Sequence, residues 1–228
     1  MVQKENSPAP AANARERLIE AAMDIFGQYG FDIATTRMIA AAAEVNIASI
    51  PYYFSGKEGL YQAAVSHIVG LIEERLSPVV KEIGERSLKG PLFPDEALSF
   101  LEAILGTLIE YMVGSTDGPR FARIILREHL FPSSAYDIIF SRMMEPMVHG
   151  ISTLIGLASG ETAPRLLKLR AVAVVGQVMA FRIAREAMVR GLGMEGYSQT
   201  EVAEIKEVVL EHTRRAVGIP ADFGKQGR

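Results

Sequence analysis

Side chains able to do chemistry are spread unevenly along the 228 residues. His129, His149 and His212 fall in separate helical stretches, and none shows the His-Glu-x-x-His or His-x-x-x-His spacing that puts two imidazoles on one helix face. No glycine-rich phosphate loop and no nucleophile elbow is present, since the Gly-Ser-Thr at 114–116 is too short to serve as either. The absence of cysteine excludes disulfides and thiolate metal sites and makes a reducing cytosol the simplest setting. An enzyme would need a constellation that these residues do not form, and no metal or cofactor is expected. A denser group lies in ATTRMIAAAAEVNIASIPYYFSGKEGLY, from Ala34 to Tyr61. Here Asn46, Ile47, Ala48, Ser49, Tyr52 and Tyr53 share one short helix, whose exposed tips suit the base edges of a DNA major groove.

The elements that must position this helix are legible from periodicity and caps. Leu18, Ala21, Ala22, Ile25 and Phe26 make one apolar stripe on a first helix, Asn13 to Tyr29. Gly30 suits the left-handed residue beyond its end, letting Phe31 fold back on Phe26. Thr35 caps a second helix, Thr36 to about Ala43; Glu44 and Val45 turn the chain; Asn46 caps a third. Two helices and a turn in about 20 residues form the helix-turn-helix pattern. Ser55 and Glu58 have the spacing of a capping box that starts a long fourth helix.

Five further helices follow. The first is capped by Asp95 after a Gly84–Pro94 loop, and the next runs from Arg120 to Leu130. A seventh helix runs from Ser133 or Ser134 to Ile155 with a kink at Pro146, an eighth from Arg165 to Arg190, and a ninth from Glu201 to Val217. No stretch alternates with a strand's period, so the fold class is all-α with about nine helices. The expected division is a loose tail at 1–12, a helix-turn-helix domain at 13–60, a larger helical domain at 61–217 and a polar tail at 218–228. No apolar run reaches membrane-spanning length, and the N-terminal tail is no signal peptide.

The segment from Arg15 to Tyr61 resembles the DNA-binding domain of TetR-family transcriptional regulators. The resemblance is carried by FGQYGF, TTRMIAAAAEV, SIPYYF and SGKEGLY. REHLFPSSAYDIIF and GQVMAFRIARE resemble the C-terminal domain of the CerR (CecR) subgroup. The resemblance puts Thr36 and Arg37 where the family contacts phosphate and sometimes guanine, Ile47, Ala48 and Ser49 at the start of the recognition helix, and Tyr52, Tyr53 and Lys57 at phosphate or base contacts. The residue chemistry agrees: a helix N-terminus offers N–H groups to phosphate, and an arginine fork reads guanine. Ile50 and Phe54 are core residues in this reading.

Two features depart from the family pattern. Pro51 replaces an aromatic or polar residue and predicts a distorted or tightened recognition helix that makes one phosphate contact fewer; inside a regular helix it would cost ~3 kcal/mol. The net charge is −3, and residues 1–60 hold five basic against seven acidic side chains, so binding by charge alone is excluded.

In the larger helical region Arg123, Arg127, Glu128, Gln177, Phe181, Arg182 and Arg185 are polar or aromatic residues on apolar helices. Gln177, Phe181 and Arg185 recur at i, i+4 and i+8. Arg123, Arg127, Gln177, Phe181 and Arg185 either line a ligand pocket or join an ion-pair network with Glu128 and Glu186. The family resemblance implies a homodimer, acting as a repressor on a palindromic operator and released by a small-molecule effector. The alternatives are a constitutive DNA-binding protein without a ligand, and an all-α enzyme or adaptor.

Overall fold

A computed structural model describes residues 11–115 and 118–217. Among these every regular element is helical, as the periodicity requires. The chain divides into two compact units. Among the described residues, one holds 11–69 together with Arg123–Ile139, and the other holds the described part of Gly70–Ala122 and residues 140–217. A segment distant in sequence completes the first unit.

The first unit contains α1 (Ala11–Ile33), α2 (Thr36–Ala42), α3 (Ser49–Phe54), the start of α4 (Lys57–Ser87), the end of α6 (Gly118–Leu130) and α7 (Tyr136–Ile139). Its core includes Leu18, Phe26, Ile39, Ile50, Leu60 and Ile124, all essentially inaccessible. Gly30 interrupts α1 with φ +76°, and beyond it Phe31 stacks on Phe26 at 5.9 Å between ring centroids. The returning segment is tied in by Glu128, which is buried. Glu128 accepts from the Tyr61 hydroxyl at 2.7 Å and from the Ser133 amide at 3.0 Å. Burial, reinforced by that carboxylate, holds the Tyr61 phenol well above the usual tyrosine range. Ser134 donates to Glu58 at 2.7 Å. Glu58 therefore does not form the expected box with Ser55, which instead closes α3 in a left-handed conformation, φ +59°.

The second unit contains the rest of α4, α5 (Pro94–Met112), the start of α6, a π-helical segment (Phe140–Met144), α8 (Glu145–Ser159), α9 (Pro164–Ile183), α10 (Arg185–Gly191) and α11 (Gln199–Ala216). Leu101, Leu105, Ile109, Ile155, Val174 and Val209 form its buried interior, where α5 packs on α8, α9 and α11. The helix α4 continues through Gly84 to Ser87, so the expected loop is shorter. Its Arg86 grips Glu96 at 2.6 Å, and Glu96 in turn accepts the Phe93 amide at 2.8 Å. That carboxylate closes the N-terminus of α5 in place of the expected Asp95 cap and is held below the usual carboxylate range by the Arg86 hydrogen bond.

Two of the expected helices are interrupted. Pro146 has no amide to give the carbonyl of Arg142, and the turn before it widens into the π segment from which α8 restarts. The second interruption involves neither proline nor glycine. The Tyr197 hydroxyl donates to the Phe181 carbonyl at 3.0 Å. An unbroken helix would give that carbonyl to the Arg185 amide, and the ladder breaks at Ala184 instead. The expected tails lie outside the described residues, apart from Ala11 and Ala12, which open α1.

Candidate nucleic-acid interface

The short helix α3 is held by local chemistry at both ends. At its start the Asn46 side chain accepts the Ala48 amide and its carbonyl accepts the Ser49 amide, both at 2.9 Å. The Ile47 carbonyl accepts the Ile50 amide at 3.1 Å. These tight i to i+3 bonds delay the regular helix until Ser49, leaving Pro51 in the first turn, where an amide has no intrahelical partner to lose. The expected tightening is present, but the cost of a mid-helix proline is avoided. At its end the Phe54 carbonyl lies so close to α4 that a Cβ on Gly59 would meet it at 1.8 Å. Only glycine fits there.

The preceding turn closes α2 with the Val45 amide on the Ala40 carbonyl (3.0 Å) and the Glu44 amide on the Ala41 carbonyl (3.2 Å). This is the paired closure that ordinarily uses glycine, yet Glu44 occupies its left-handed position at φ +54°. Upstream, the Thr35 hydroxyl caps α2 by accepting the Met38 amide at 3.2 Å.

The framework sorts the candidate residues by exposure. Ile50 and Phe54 are buried, as the core reading requires. Arg37, Asn46, Ile47 and Ala48 are exposed; Thr36, Ser49 and Tyr53 are half-buried. Tyr52 is 81% exposed, with the edge of Tyr53 against it at 4.8 Å between centroids, which is an unusual position for a large aromatic ring that serves packing alone. The Lys57 ammonium lies over the Phe31 ring at 4.5 Å and donates to the Asp32 carbonyl at 3.4 Å, so its charge is anchored at the end of α1.

Of the five residues expected around a pocket, Arg123 and Arg127 belong to the first unit and Gln177, Phe181 and Arg185 to the second. Arg123 is exposed on α6. Arg127 pairs with Asp32 at 3.6 Å, and its guanidinium occupies the space that a Cβ on Gly30 would need. Gln177 on α9 keeps a buried side-chain oxygen without a hydrogen-bond partner. Phe181 gives its carbonyl to Tyr197, and Arg185 lies over the Tyr197 ring at 5.5 Å. Burial raises the Tyr197 phenol, opposed by Arg185 and Arg182. Glu186 pairs with Arg190, and Glu128 with Tyr61 and Ser133, so neither joins the network expected of them.

Within the second unit a half-open cavity of about 810 Å³ is bounded by α4, the loop before α5, the π segment and α8. Its walls include Ile72, Leu76 and Ile83 from α4 and Ile151, Leu154 and Leu157 from α8, with Met143 and Met147 between them. None of Arg123, Arg127, Gln177, Phe181 and Arg185 belongs to its lining. The sequence signals that could have found it are Pro146 and the charges Glu73 and Arg142 on otherwise apolar faces. Arg142 forks onto Glu73 at 2.6 and 3.2 Å. Among the described residues no three metal-binding side chains cluster, and no helix is long and apolar enough to cross a membrane.

Residues 18–64 match the family model described as bacterial regulatory proteins of the tetR family, and residues 97–218 match that of the C-terminal domain of the HTH-type transcriptional dual regulator CecR. Over 213 residues the chain is 32% identical to the HTH-type transcriptional dual regulator CecR of Shigella flexneri, covering 91% of this chain and 94% of that protein. A shorter match, 35% identical over 80 residues, joins it to the probable HTH-type transcriptional regulator YttP of Bacillus subtilis (strain 168), covering 35% of this chain and 39% of that one. A TetR-like transcriptional regulator from Rhodococcus sp. RHA1 has a similar structure at 19% identity, with a TM-score of 0.62, covering 92% of this chain and 99% of that one. AibR, crystallised with isovaleryl coenzyme A and operator DNA, gives 0.64 at 19% identity, covering 87% and 97%. The chain belongs to the TetR family of DNA-binding helix-turn-helix transcriptional regulators, and its C-terminal domain is of the CecR type.

Proposed function

We propose that the protein is a cytoplasmic homodimeric repressor, without enzymatic activity, that reads a palindromic operator and leaves it when a small molecule fills the cavity of the second unit. The observation that carries the reading is the division of labour on α3 and the turn before it, where Ile50 and Phe54 are buried while Ile47 and Tyr52 are exposed, with Arg37 exposed on α2. So short a helix, fixed by local hydrogen bonds at both ends and presenting an exposed tyrosine, is suited, together with the arginine of the preceding helix, to base and phosphate contact. In this reading Arg37, Ser49 and Tyr52 address base edges or phosphates together with Thr36, Tyr53 and Lys57. Asn46 sets the helix start, and Ile47 and Ala48 read shape or thymine methyls. The acidic overall charge makes specific contacts, rather than bulk attraction, the source of affinity.

Dimerisation is supported by α9. Leu169, Val172, Ala173, Gly176, Ala180 and Ile183 follow one another at three-, four- or one-residue steps and all are exposed. An apolar stripe with small residues at its middle suits close packing against a second copy. Two recognition helices would then enter successive major grooves about 34–36 Å apart. The effector acts by binding one spacing of those helices more tightly than another.

The test is fluorescence anisotropy with labelled duplexes from the protein's own upstream region, alongside sedimentation of the complex. Two chains per duplex are expected, with binding that disappears on scrambled DNA. Arg37→Ala should weaken binding by about 10- to 100-fold at constant salt, in line with the discrimination from one good bidentate contact. Binding equal to that of scrambled DNA would overturn the reading.

A further inference from the structure

We infer that the cavity of the second unit selects an uncharged, predominantly apolar molecule, and that the Glu73–Arg142 pair is the element that rejects charged ones. This deepens the proposed function and rests on its reading of the cavity as an effector site. The inference follows from how each polar group in the lining is already used. Glu73 and Arg142 are the charged pair there, and the guanidinium forks onto the carboxylate through both Nε and Nη2. The Ser87 hydroxyl donates to the Ile83 carbonyl at 2.7 Å, and the Thr153 hydroxyl to the His149 carbonyl at 2.9 Å. The carbonyls of Gly90 and Pro91 both accept from Arg86. A ligand is left with Ser77 and the His149 ring as polar contacts, inside walls that are otherwise aliphatic.

To take over the fork of Arg142 an anionic ligand must displace Glu73, and to take over the carboxylate of Glu73 a cationic one must displace Arg142. Either leaves a lining charge without its partner, whereas a neutral molecule disturbs neither. The volume, about 810 Å³, falls within the range of drug-sized ligand sites. Met143 and Met147 add unbranched side chains that adapt to different apolar shapes.

Two matched fluorophores test the assignment on the intact protein. N-phenyl-1-naphthylamine is neutral; 8-anilinonaphthalene-1-sulfonate has the same ring system with one negative charge. The neutral probe should bind saturably at one site per chain. Ser77→Trp on α4 and Thr153→Trp on α8 each place an indole in the cavity from an exposed position, and each should abolish that binding with the far-ultraviolet circular dichroism unchanged. The portion of sulfonate binding removed by the same substitutions should be at least about tenfold weaker. Glu73→Gln removes the competing carboxylate, so the sulfonate should gain about tenfold while the neutral probe stays within about twofold. Equal binding of the two probes at the blocked site, or no gain for the sulfonate in Glu73→Gln, would overturn the ligand class and leave the cavity reading standing. Binding of neither probe, or binding of both undiminished by either tryptophan, would overturn the cavity reading itself.

Discussion

The reading helix and the cavity are built by opposite means. Around α3 the chain accepts unfavourable backbone conformations to fix a short element: Glu44 and Ser55 are both left-handed without being glycine, and Gly59 lies against a carbonyl that no side chain could face. Around the cavity the strain is absent and the regularity is broken instead, by a π segment at one wall. A helix that reads base edges must hold its side chains to within a fraction of an ångström, and turn chemistry supplies that. A cavity for an apolar molecule needs space and adjustable walls, and interrupted helices with methionines supply those.

If that contrast is right, the largest effect should come from the tightest contact. Gly59→Ala places a Cβ 1.8 Å from the Phe54 carbonyl, and backbone must move to accommodate it. A loss on the order of 3 kcal/mol is expected in urea unfolding, with operator binding abolished even where the protein remains folded. A variant that kept full operator affinity would show that α3 does not need the contact. Tyr61→Phe comes next. It removes the 2.7 Å donor from Glu128, a carboxylate that is 2% exposed, and leaves Ser133 as its partner. A loss of about 1–3 kcal/mol is expected from the same unfolding curve. A neutral outcome would mean that Ser133 alone satisfies the carboxylate.

Much of the first unit can be read from the residues because its determinants are neighbours in sequence. Thr35, Asn46, Gly30 and the Phe26–Phe31 contact all act within five residues, and each is legible. The Ser55–Glu58 box has the right spacing, but Glu58 finds a partner 76 positions away in Ser134. The same cause hides the cavity. Glu73 and Arg142 are 69 positions apart, and only packing makes them a pair. The stripe of Gln177, Phe181 and Arg185 is sound helical geometry, but it assumes an unbroken helix. Tyr197 breaks that helix from 16 residues away.

Tyr197→Phe probes that break with a smaller effect. Without the hydroxyl the Phe181 carbonyl becomes available to the Arg185 amide, and α9 can run on into α10. Stability should change by about 1 kcal/mol or less, because one hydrogen bond replaces another. The informative readout is amide hydrogen exchange, in which Arg185 should gain protection. Unchanged exchange at Arg185 would mean that something other than Tyr197 holds the helix open.

The smallest effect should appear at Glu44, and its sign is what sharpens the contrast. A non-glycine residue in the left-handed region costs roughly 1 kcal/mol, and Glu44 is exposed, so its removal costs no packing. Glu44→Gly relieves the conformational cost but admits more freedom to the unfolded chain, which offsets part of the gain. A net stabilisation of about 0.5 kcal/mol is expected in urea. Operator affinity should rise slightly as well, since a negative charge leaves the turn between α2 and α3. Glu44→Gln separates the two contributions, because it keeps the backbone cost while removing the charge. If both variants raised affinity equally and the glycine variant alone raised stability, the turn's strain would belong to holding α3, and its charge to moderating contact with DNA.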